Sequence, residues 1–226
     1  MRAVRLALLA ASLAVTTAFA SPTDPKAGAE YTVLTAPQPS QTAGKKVEVI
    51  EFFMYHCPYC HALEPTLEQW VKKQGDNIVF KRIHIPYQGP VDPETHLVLT
   101  LQAMGKSEAY QARLFDAVGD IVTRKRSETL TEQEVLDVAA KLPGIDKAKF
   151  METWNSFGVK TMLTRQTGIV SNGYKVDSTP TLVIDGKYVT SPGQVNTATH
   201  TQGQQQLFQE TLEVADALIA KVQKVK

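Results

Sequence analysis

Residues 47–65 read VEVIEFFMYHCPYCHALEP. The first seven, VEVIEFF, are rich in β-branched and aromatic side chains, the composition of a buried strand. Glu51 is the exception in its interior. Cys57 follows within a few residues. Beyond it Leu63, Leu67, Trp70 and Val71 recur at i, i+4, i+7 and i+8, the apolar stripe of a helix. Pro58 suits the first turn of that helix, and Pro65 falls inside it, where it is expected to kink the axis. The stretch therefore predicts a strand that hands a cysteine to the start of a helix. Residues 77–85 (NIVFKRIHI) alternate like a second strand. Strand, helix and strand of these lengths form a βαβ unit with a parallel crossover.

Cys57 and Cys60 are the chain's only cysteines. At the N-terminus, Arg2 and Arg5 precede an apolar stretch that ends in Ala18-Phe19-Ala20. A basic start, a short apolar core and a small-x-small end describe a cleavable secretory signal over residues 1–20. The apolar stretch is too short to span a bilayer comfortably. Export implies an oxidising compartment, where structural disulfides usually join distant segments. Here no cysteine is left for such a bridge, so the sulfur pair is local. Losing two arginines and no acid with the leader takes the formal charge from +1 to −1. A near-neutral chain gives no electrostatic case for nucleic acid or an anionic membrane.

Away from the cysteines, residues 21–30 look like a mobile arm, 31–35 like a short strand and 37–46 like a loop. Between 92 and 175 the pattern turns helical. Stripes run through Leu97, Leu101 and Met104, and through Tyr110, Leu114, Val118 and Ile121. Thr131 and Glu134 have capping-box spacing. Phe150, Trp154 and Phe157 recur at i, i+4 and i+7. Four or five helices are expected, with no strand among them. Residues 181–184 read as a strand, Asp185-Gly186 as a hairpin turn and 187–190 as the return strand. A polar loop over 191–203 leads to a last helix carrying Leu207, Phe208, Leu212, Ala215, Ile219 and Val222. The expected division is residues 21–90, a helical insertion over 91–175, and a return to the first unit over 176–226.

Four readings compete for Cys57–Cys60. As a redox dithiol, Cys57 sits where backbone N–H groups and the helix dipole favour a thiolate, the nucleophilic form. As half a zinc site, the pair lacks a second ligand pair; His56 and His61 are too close in sequence to supply it. As a haem anchor, Cys57-x-x-Cys60-His61 matches the c-type spacing, though it follows a buried strand. As a plain disulfide, so small a loop adds little stability.

With these residues in view, the chain resembles the DsbA family of periplasmic dithiol oxidases. The resemblance rests on Glu51-Phe52-Phe53 running into Cys57-Pro58-x-Cys60. It rests also on Pro65, on Trp154-Asn155-Ser156-Phe157, and on Thr179-Pro180 followed by a strand and Asp185-Gly186-Lys187-Tyr188. It implies an α/β thioredoxin-like fold with an inserted all-helical domain. It implies that Cys57 is the exposed nucleophile and Cys60 the buried resolving thiol. Pro180 becomes a cis-proline beside the pair, and Glu51 the buried acid beneath it. The chain departs from the strong oxidants of the family at two positions. Tyr59 stands where they carry histidine, which makes the dipeptide that of glutaredoxins, and Thr179 stands where they carry valine.

The function implied is donation of the Cys57–Cys60 disulfide to reduced, newly exported proteins in the periplasm. The alternatives are a glutaredoxin-like reductase or isomerase, or the c-type haem protein. The disulfide itself is the only redox group expected; no metal or bound cofactor is. The implied reoxidant is a membrane-bound, quinone-linked protein of the DsbB type. The chain shows no separate dimerisation segment, so a monomer is expected. His56 and His61 flank the pair, each read singly as a solvated residue at the helix end.

Overall fold

The computed structural model describes residues 21–226, apart from 41 and 43. The leader inferred over residues 1–20 lies outside the described residues. A five-stranded mixed sheet forms the centre, in the order β1-β5-β4-β2-β3. Its strands are β1 (Thr32–Val33), β2 (Val47–Phe53), β3 (Ile78–His84), β4 (Thr181–Ile184) and β5 (Tyr188–Thr190). β3 pairs parallel to β2, as the crossover through α1 (Pro58–Gln74) requires. β4 pairs antiparallel to β2 on the other side. Every residue of β2 is buried, because it lies mid-sheet with both faces covered.

Alternation along β2 divides the core. Val47 and Val49 join α1 and the last helix, α8 (Gln204–Gln223), in one apolar cluster with Leu63, Leu67, Phe208 and Leu212. Ile50 and Phe52 face the opposite side and pack on Val170, Tyr174 and Val176. Fully burying each such side chain contributes about 1.5–3 kcal/mol.

Between β3 and β4 the chain forms five helices: α2 (Pro93–Ala103), α3 (Ser107–Lys125), α4 (Glu132–Ala139), α5 (Lys147–Trp154) and α6 (Phe157–Gly168). A wider π-type turn, Ile169–Tyr174, leads out of α6. Thr131 and Glu134 close a capping box on α4. The core of these helices is continuous with Phe53, Tyr55, Cys57 and Cys60, so the cysteines sit at the junction of helices and sheet.

Three sequence expectations change. Residues 21–30 are not a free arm: Ala27 bridges to Tyr31, and buried Glu30 accepts from the Lys26 N–H at 2.9 Å. The loop expected over 191–203 contains α7 (Pro192–Thr199), started by a Ser191 cap on the Gln194 N–H. Phe157 does not continue the stripe of Phe150 and Trp154. Ser156 caps a new helix there, and Phe157 is 86% exposed at its first position. As expected, Pro65 falls inside α1, which runs on to Gln74. No helix among the described residues is long and apolar enough to cross a membrane.

Candidate active site

Cys57 is the N-cap of α1, with extended backbone (φ −82°, ψ 113°). Its sulfur occupies the place of an Asp or Ser capping oxygen and accepts the Cys60 N–H at 3.4 Å. Pro58 fills the first helical position, where its missing N–H leaves nothing unsatisfied. Both cysteines are free thiols in this structure. Cys57, expected to be exposed, is buried with 9% of its surface accessible, and Cys60 is fully enclosed.

These surroundings separate the two thiols chemically. The hydrogen bond from the Cys60 thiol, followed by those of the Thr179 side chain and the Cys60 and Tyr59 N–H groups, outweighs burial. Together they hold the Cys57 pKa down to about 6. Burial pushes the Cys60 thiol far up. Its hydrogen bond to Cys57 and the charges of Cys57 and Glu51 add to that. One sulfur is thus an anion near neutral pH and the other keeps its proton.

Thr179 and Pro180 lie against the pair. The Thr179 carbonyl oxygen is 3.5 Å from Cys57 Sγ, and the Thr179-Pro180 bond is cis. Tyr59 is half exposed, and its ring meets the edge of Phe208, at 6.4 Å between centroids.

Glu51 is fully buried in β2. The parallel register sets it opposite Arg82 of β3. Neighbours in register share a face of the sheet, so Arg82 Nε reaches Glu51 Oε2 at 3.1 Å. The same guanidinium donates to Glu64 Oε1 at 2.7 Å and to Glu108. Burial raises Glu51 to about 8 against the pull of Arg82. Glu64, on α1, rises to about 7 for the same reason. Glu51 Oε1 has no hydrogen-bond partner among the described residues. A buried carboxyl whose pKa lies above neutral is therefore electrostatically coupled to the Cys60 sulfur.

The two histidines differ. His61 stacks on Phe115 with ring centroids 5.3 Å apart and reaches Asp116 at 3.2 Å from a half-exposed position. His56 is not solvated: it is buried, with Nδ1 2.7 Å from Glu94 Oε2. Arg82, Glu64, Glu94 and His84 were not legible as site residues. The available signal was Arg82 and His84 two apart in a strand, which places both on one face.

The family model described as thioredoxin matches residues 42–214. The chain is 37% identical to the thiol:disulfide interchange protein DsbA of Burkholderia cepacia, over 97% of this chain and 96% of that one. Against the same-named protein of Pseudomonas aeruginosa PAO1 the identity is 33%, over 96% and 97%. The crystal structure of Pseudomonas aeruginosa DsbA superposes with a TM-score of 0.71 at 32% identity, covering 87% of this chain and 93% of that one. A strand-delivered Cys-Pro-x-Cys, a proline loop against its first sulfur and a helical insertion now stand beside these likenesses, and the chain belongs to the DsbA family of thiol:disulfide oxidoreductases.

Proposed function

We propose that the chain donates the Cys57–Cys60 disulfide to reduced, newly exported proteins in the periplasm. The separation of the two thiols carries this reading, with Cys57 favoured as thiolate and Cys60 as thiol. A substrate thiolate attacks Cys57 Sγ of the oxidised protein. A substrate–Cys57 bond forms, the Cys57–Cys60 bond breaks, and its electron pair leaves on Cys60. Glu51 supplies the proton that Cys60 then takes. A second substrate thiolate attacks the substrate sulfur and displaces Cys57, which leaves as its stabilised thiolate. The substrate has lost two electrons, and the cysteine pair has gained them. The pair itself is the redox group, and no metal or other cofactor enters these steps.

An extended substrate segment would lie along the Thr179-Pro180 loop and be held mainly by backbone hydrogen bonds. That mode reads little sequence, as a general oxidant needs. The two electrons then pass to a membrane-bound, quinone-linked partner of the DsbB type, and the chain acts as a monomer.

A peptide with two cysteines tests the reading. Oxidised protein should close its disulfide with turnover in glutathione buffer. Cys57→Ser should abolish this, and Cys60→Ser should trap peptide on Cys57. Undiminished turnover by Cys57→Ser would refute the assignment of roles.

A further inference from the structure

Glu94 lies in the first turn of α2 and is enclosed where that helix meets the active-site loop. Its Oε2 accepts from His56 Nδ1 at 2.7 Å. Its Oε1 accepts from the Tyr55 N–H at 2.7 Å, the His56 N–H at 3.2 Å and His84 Nε2 at 2.7 Å. One carboxylate thus fixes both the backbone leading into Cys57 and the ring of the residue before it. Burial works against the Glu94 charge, yet the charge of His84 and the hydrogen bonds of both histidines hold it at about 2. The two histidines therefore favour Glu94 as the carboxylate.

The remaining nitrogen of His56 is the unusual atom. Nε2 is buried and has no hydrogen-bond partner among the described residues, in a side chain of which 4% is exposed. Nε2 is unmet in either state, as an acceptor on the neutral ring and as a donor on the protonated one. The balance is set at the other nitrogen, where the buried Glu94 carboxylate 2.7 Å from Nδ1 favours the protonated ring. The groups acting on it are Glu94, then Asp92 at the α2 cap and the Cys57 sulfur, all opposing burial. The ring of Tyr87 packs 5.2 Å away. His61, Asp116 and Asp120 line the same cleft of about 340 Å³.

We propose that His56, oriented by Glu94, is a positioning residue that supplies a fixed positive charge beside Cys57. A nucleophilic sulfur, an imidazole and a carboxylate that aims the imidazole form the order in which thiolates are activated elsewhere. The neutral phenol of Tyr59 supplies no such charge. When substrate displaces Cys57, the electron pair of the broken S–S bond stays on its sulfur and no proton moves. The anion forms against a cation already in place. This inference rests on Cys57 being the leaving thiolate of the oxidase reaction.

Two measurements on the mature protein test it. In His56→Asn, the amide keeps a donor for Glu94 but loses the charge. Its Cys57 pKa, read from thiolate absorbance, should rise by about one unit, and the equilibrium constant with glutathione should shift about tenfold toward the disulfide. An unchanged Cys57 pKa in folded His56→Asn would overturn the proposal and leave His56 a packing residue. The wild type gives the reciprocal test, which needs no variant. By NMR, the His56 ring should keep its proton to higher pH in the reduced protein than in the oxidised one, because only the former has the thiolate. Identical titrations in the two redox states would equally overturn it. Peptide oxidation by the wild type, run in the same buffers, separates the layers. Turnover with an unmoved Cys57 pKa defeats the role of His56 alone, whereas no turnover defeats the oxidase reading and this inference with it.

Discussion

The Thr179 carbonyl oxygen lies 3.5 Å from Cys57 Sγ, although 122 residues separate them in the chain. The five helices of the insertion occupy that interval and still return the chain to the sheet beside the cysteines. β4 begins two residues after Thr179 and pairs with β2 from Phe52↔Thr181. The strand that delivers Cys57 therefore also fixes the loop that contacts it.

Thr179 helps to hold the Cys57 pKa at about 6 through its side chain. Thr179→Val removes the hydroxyl, keeps the shape and leaves the carbonyl contact in place. The Cys57 pKa should rise by about one unit, since a unit corresponds to about 1.4 kcal/mol and hydrogen bonds to charged groups are of that order. Thiolate absorbance against pH measures it. An unmoved titration would show that Thr179 only lines the site.

Alkylation should be one-sided. With the reduced protein at pH 6.5, iodoacetamide followed by peptide mapping should find label on Cys57. Cys60, enclosed and with its proton held, should stay unmodified until the protein unfolds. Equal labelling of both would contradict the separation of the two thiols.

The reduced and oxidised forms should exchange rank in stability with pH. The folded Cys57 pKa, about 6, is below its ordinary 9.0. The thiolate's contribution is therefore full above pH 9 and is lost as pH falls through 6. It amounts to roughly 1 kcal/mol at pH 7 and roughly 3 kcal/mol at pH 8. Closing so short a disulfide loop contributes about 2 kcal/mol to the oxidised form. Denaturant unfolding should find the oxidised form more stable at pH 6 and the reduced form at pH 8. A difference that does not change with pH would mean that Cys57 is an ordinary thiol.

Glu51 has the opposite sign. Its folded pKa, about 8, is above the ordinary 4.5. Native stability from the protonated carboxyl is thus full below pH 4.5 and lost as pH rises through 8. Glu51→Gln keeps an acceptor for Arg82 and cannot ionise, so it should gain on the wild type steadily from pH 5 to pH 9. The wild-type rate of mixed-disulfide formation should also bend near pH 8, where Glu51 can no longer give a proton, and the bend should vanish in Glu51→Gln. Parallel stability profiles would rule out the raised pKa.

What could be read in the sequence followed local rules. VEVIEFF is a central strand, and a central strand shows as an apolar run; the capping box at Thr131 and Glu134 is a spacing of three. Cys57-x-x-Cys60-His61 satisfies a haem spacing as well, and the strand and the Thr179-Pro180 loop around it are what place it among the dithiols. α7 was missed because only Pro192 and Val195 are buried in it, too few for a periodic stripe, although Ser191-Pro192 is a helix start. Phe157 misled because its spacing from Phe150 and Trp154 fits one helix, while Ser156 starts another. The buried polar partners were beyond reach for a different reason. His56 reads as a solvated helix-end residue until Glu94, 38 positions away, is brought onto its ring. Arg82 likewise becomes a site residue only through the register that sets it beside Glu51.

Whether this cysteine pair is an oxidant is decided by its reduction potential. Equilibration of the protein with glutathione buffers, followed by quenching and separation of the two redox forms, gives the Cys57–Cys60 potential. A Cys57 thiolate stabilised against a protonated Cys60 favours the reduced form, so the potential should lie well above about −180 mV, toward the about −120 mV of the family's reference oxidant. A value near the about −270 mV of thioredoxin would contradict the account and make the chain a reductase.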